Sequence, residues 1–110
     1  MNPEDFIEEV LQLADNSELI NSTNLDVEKP IVRIRLNMEG ERLIDIFRNF
    51  ETGTISYTLI ESDERIYSID YDSIRGWHYH PIENPETHEE CGSKKFSEFI
   101  EKVEENIDKR

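Results

Sequence analysis

The three histidines of the chain all fall in "RGWHYHPIENPETHEEC", residues 75–91, together with its only tryptophan and its only cysteine. His78 and His80 are two apart, so on an extended segment both project to one side and Trp77 and Tyr79 to the other. Two imidazoles on one strand face are the start of a site for zinc or another divalent first-row ion. His88, Glu83, Glu86, Glu89, Glu90 and Cys91 all lie close enough in sequence to offer a third ligand. The same imidazoles can instead work as an acid–base pair without metal or cofactor, because histidine titrates near neutrality. Arg75, three residues before His78, would then hold a phosphate, which is the toolkit for metal-independent RNA cleavage. A third use is structural, each ring nitrogen simply finding a hydrogen bond.

The acid–base assignment takes His78 and His80 as the pair, His88 as accessory and Arg75 as the anion anchor; the metal assignment takes His78, His80 and His88. Arg33, Arg35 and Arg48 extend the patch if a polar sheet face runs under the segment. The plainer expectation for Arg33 and Arg35 is pairing with the acidic surface. Trp77 and Tyr79 read as core side chains. Pro81 and Pro85 restrict the segment, which reads as a rigid loop before the last helix. Cys91 has no basic neighbour to lower its pKa and is not a candidate nucleophile.

These residues must be positioned by what surrounds them. "NPED" at residues 2–5 is a helix start, with a capping Asn, Pro at the first helical position and acids in the first turn. Phe6, Ile7, Val10, Leu11, Leu13 and Ala14 then form an apolar stripe at helical spacing. Residues 17–30 are polar and mixed, and read as a connecting loop. From Ile31 the period becomes two: Val32, Ile34, Leu36 and Met38 alternate with Arg33, Arg35 and Asn37. "RLIDIFRNF", "TISYTLIE" and "RIYSIDY" follow, separated by short turns. Ser93 is placed to cap a final helix with Phe96, Phe99, Ile100, Val103 and Ile107 on one stripe. The spacing thus predicts α+β: a four-stranded antiparallel β-meander packed against an N-terminal and a C-terminal amphipathic helix, in the order α-β-β-β-β-α.

With 110 residues, the chain is read as a single domain, 1–110. Its net charge of −14 is concentrated in the flanks, while residues 30–80 hold six of the seven arginines and no lysine. Binding to nucleic acid or an anionic membrane through net charge is disfavoured, although a local arginine patch can still grip RNA phosphate. The acidity reads first as a solvated coat; an acidic interaction domain that binds a basic partner is the alternative, and a homo-oligomer is compatible with it. One cysteine fits a reducing compartment, and no apolar run approaches the roughly 18–20 residues that span a bilayer. The expectation is a cytoplasmic protein.

The order of these features resembles the small TumE-type toxins of prokaryotic toxin–antitoxin pairs. The aromatic-acidic "YSIDYDS", the basic step "IRGW", the H-x-H of "HYHP", "NPETHEEC" and the terminal "FSEFIEKVEENI" carry the likeness. It covers residues 31–107, with the motif confined to Tyr71-Asp72 through His88. The resemblance implies a toxin held inactive by a cognate antitoxin protein, with Asp72, His78, His80 and His88 at the polar positions of the motif.

Overall fold

The computed structural model describes residues 1–82, 84 and 86–107. Glu83 and Pro85, named above, lie outside the described residues. The chain runs α1 (Pro3–Asp15), β1 (Ile20–Glu28), β2 (Ile31–Met38), β3 (Arg42–Asn49), β4 (Ile55–Glu61), β5 (Glu64–Asp72), β6 (Gly76–His80), β7 (Glu89–Glu90) and α2 (Phe96–Ile107). The strands form one antiparallel sheet in sequence order, β1-β2-β3-β4-β5-β6-β7. The fold is therefore α+β with two helices, but the sheet has seven strands rather than four.

The three extra strands correct the sequence reading at both ends. Residues 17–30 are not a connecting loop, because β1 pairs with β2 along its length, from Ile20↔Met38 to Glu28↔Ile31. All of β1 after Ile20 is exposed, and its only alternation is the short Asn24-Leu25-Asp26-Val27-Glu28 run after three polar residues, too brief to announce the strand. The histidine segment is not one loop either: β6 pairs with β5 from Ser68↔His80 to Asp72↔Gly76, and β7 returns along β6.

One sheet face carries the core. Val32, Ile34, Leu36, Ile44, Ile46, Tyr57, Leu59, Tyr67 and Ile69 are buried there beneath Phe6 and Val10 of α1 and Phe96, Phe99 and Val103 of α2. Phe99 lies at the centre, stacked on Tyr67 at 5.2 Å and tilted against Tyr57 at 5.7 Å. Asn2 caps α1 as its type predicts, its side-chain oxygen accepting from Asp5 N at 2.8 Å. Ser93 does not cap α2, which begins at Phe96; the Glu98 carboxylate instead reaches back to accept from Lys95 N at 3.1 Å. Trp77 and Tyr79 pack against the core from β6. Among the described residues no helix is long and apolar enough to cross a membrane.

Candidate functional site

The opposite sheet face is polar, and the histidines lie on it. In β5, Tyr67, Ile69 and Tyr71 take the core side, which sends Ser68, Asp70 and Asp72 to the other. Register then sets His80 beside Ser68 and His78 beside Asp70. β7 begins one residue after His88 and pairs Glu89 with Tyr79, which brings His88 back over the same face. His78 and His80 are 5% and 3% exposed, and His88 is exposed above them.

The three rings are in contact. Their centroids are 6.0 Å apart for His78–His80, 5.4 Å for His78–His88 and 4.1 Å for His80–His88. One ring nitrogen from each lies within 4.8 Å of the others. Three nitrogens around a single zinc at about 2.0–2.1 Å are about 3.4 Å apart. Closing the set requires the nitrogens to approach one another by up to about 1.4 Å from the 4.8 Å bound.

The surroundings also favour coordination. His78 Nδ1 is 3.1 Å from the Gly76 carbonyl oxygen, which can only accept, so this nitrogen donates, and in the neutral ring Nε2 is the nitrogen with the lone pair. Asp70 Oδ2 lies 4.0 Å from His78 Nε2 and 3.9 Å from His80 Nε2. That carboxylate is held in turn: Ser56 Oγ donates to Oδ1 at 2.6 Å and the buried Ser68 Oγ to Oδ2 at 3.0 Å. A cavity of about 420 Å³ opens beside the group, lined by Ser56, Arg65, Asp70, Asp72, Arg75 and the three histidines, among others.

The other expected site residues divide. Arg75 and Asp72 line this cavity, and Arg75 Nε and Nη2 both donate to Asp72 Oδ2 at 3.0 Å. The Arg75 backbone N–H bonded to Asp72 holds that carboxyl below its usual range, with help from the Ile74 N–H and the guanidinium. Arg33 and Arg35 share the polar face but sit on β2, four strand spacings or roughly 19 Å from β6. Arg35 pairs with Asp45 at 3.9 Å, and Arg33 lies over the Phe47 ring at 5.2 Å. Arg48 does not join the patch: it faces the helix side, over Phe6 and Phe50. Cys91 and Glu89 are also removed as ligands, because they lie opposite Trp77 and Tyr79 on the core side. Burial raises the Cys91 thiol's pKa, in keeping with an inert cysteine.

Sequence reasoning missed Asp70, Ser56 and Ser68. The signal was present in "SIDYD": once Tyr67, Ile69 and Tyr71 face the core, Asp70 must face away. Its position beside the histidines required the β5–β6 register. No family model matches the chain, no curated protein is found similar to it, and no solved structure matches it.

Proposed function

We propose that this protein binds one divalent first-row metal ion, zinc foremost, through His78, His80 and His88. The observation that supports it is the convergence of three imidazole nitrogens within 4.8 Å, two of them on rings almost fully buried. Burial favours ligation over general acid–base work, because two imidazoles almost fully shielded from solvent admit a small ion more readily than a ribose-phosphate chain. Three protein nitrogens leave a fourth position for water or for Asp70, the arrangement by which zinc sites retain reactivity. Asp70 lies close enough to coordinate directly or to orient a bound water.

A second reading keeps the same residues without metal: a TumE-like toxin acting on RNA, with the histidines as acid and base, restrained by an antitoxin. Arg75 on the wall of the same cavity favours it.

Elemental analysis of purified, untagged protein separates the two. About one zinc per chain is expected, with His78→Ala and His80→Ala reducing it to background. Less than about 0.2 metal per chain, with no thermal shift on adding zinc, would sink the metal reading. If induced wild type also arrests growth, and the His78/His80 double alanine variant does not, the toxin reading takes its place.

A further inference from the structure

Along the second half of β1 the core-side face of the sheet is left uncovered. Leu25 and Val27 stand opposite Ile34 and Val32, so they share the core face, yet they remain 48% and 38% exposed. The cause is a mismatch of widths. Seven strands about 4.8 Å apart span about 29 Å, whereas two helices about 10 Å apart cover about 20 Å. At the β7 edge Ile82 packs against the core and fills part of the remainder. At the β1 edge Leu19 and Ile20 pack against the core, and the uncovered stretch lies beyond them, at Leu25 and Val27.

α1 contributes a second apolar surface to this gap. Phe6, Val10 and Ala14 are its buried residues, while Ile7 and Leu11, one turn apart, are only partly covered. Ile7 and Leu11 face Ile20 and Thr23 across a groove of about 850 Å³. Leu25 and Val27 follow Thr23 on the same face of the strand, beyond the lining of the groove itself. Lys29 at the end of β1 reaches Glu4 at the start of α1, so helix and strand run beside each other.

The charge on the rim selects the occupant. Glu4, Glu8 and Asp15 line the groove, and α1 contains no basic residue at all. Lys29, the cation beside it, is held by Glu4 at 3.0 Å. A second copy of this chain is a poor occupant, since a two-fold contact here sets one acidic α1 against another on chains of net charge −14.

We infer that the groove between α1 and β1 docks a basic amphipathic helix of a partner protein. The partner's apolar stripe lies on Ile7, Leu11, Leu25 and Val27, and its Lys or Arg residues flank the stripe and meet Glu4, Glu8 and Asp15. Such a helix completes the layer as a third helix, and the acidic rim speeds its association at low salt.

The probe is a synthetic helical peptide of about 14 residues, with leucines on one face and lysines elsewhere, beside a scrambled peptide of equal composition. Fluorescence anisotropy should show the patterned peptide binding at least about tenfold tighter than the scrambled one. Leu11→Lys and Leu25→Lys, both at exposed or half-exposed positions, should each weaken it by a similar factor, whereas His78→Ala should leave it unchanged. Amide shift changes in labelled protein should map to α1 and β1. Equal binding of the scrambled peptide, or full binding by both lysine variants, overturns the proposal. So does a dimer of this chain in solution that Leu25→Lys dissociates, because a second copy is then the occupant.

Discussion

The Asp70 carboxylate accepts from Ser56 Oγ on one oxygen and from Ser68 Oγ on the other, and this fixes it beside two imidazole nitrogens. A carboxylate so held places negative charge where a cation bound to these nitrogens would sit. Asp70→Asn should therefore weaken zinc binding about 10- to 100-fold while leaving the sheet intact, which isothermal titration beside circular dichroism can measure. An affinity equal to wild type would mean that Asp70 serves only the Ser56–Ser68 hydrogen bonds. Arg75 stands differently: Asp72 engages its side chain and backbone together, so its first role is to hold the turn that precedes His78.

At the scale of elements, the β5–β6 turn decides where the histidines go. Asp72 accepts from the N–H groups of Ile74 and Arg75, and Gly76 then enters β6 at φ +71°, in the left-handed region. A β-carbon there would meet nothing within 4 Å, so the demand for glycine is conformational rather than steric. Gly76→Ala should cost about 1–2 kcal/mol, read as a lower urea midpoint with unchanged slope. An unchanged midpoint would show that the turn relaxes out of the left-handed region freely. The substitution also bears on the site, because the Gly76 carbonyl is the partner of His78 Nδ1.

For the whole molecule, the core between the helices and the sheet is sensitive to alkali. Tyr57 lies there against Phe96 and Phe99, and burial is the main cause that pushes its phenol up to about 12 from 10.0; nearby Glu9 adds to this and Arg48 opposes it. The folded state keeps the phenolic proton over a range in which the unfolded chain has released it. This contribution is complete below pH 10 and is lost as pH rises from 10 towards 12, at up to about 1.4 kcal/mol per pH unit. Wild type should thus lose stability faster than Tyr57→Phe across that window in chemical denaturation. Parallel losses in the two proteins would remove Tyr57 as the cause. The acidic coat adds a general repulsion that salt should relieve.

Both helices, the four central strands and the shared face of His78 and His80 could be read from the sequence, because each carries a periodic apolar pattern set by one-sided burial. β1 was missed, since as an exposed edge strand it alternates only over residues 24–28, with Leu25 and Val27 as its two apolar positions. The two-residue β7 is too short to show a period. The histidine segment left its third ligand open among His88, four glutamates and Cys91. Pairing settled three of them physically: alternation along β6 and β7 sends Cys91 and Glu89 to the core side and brings His88 over His80, while Glu90 stays on the histidine face opposite His78. Asp70 joined the group the same way, from a neighbouring strand that only the tertiary fold placed beside the histidines.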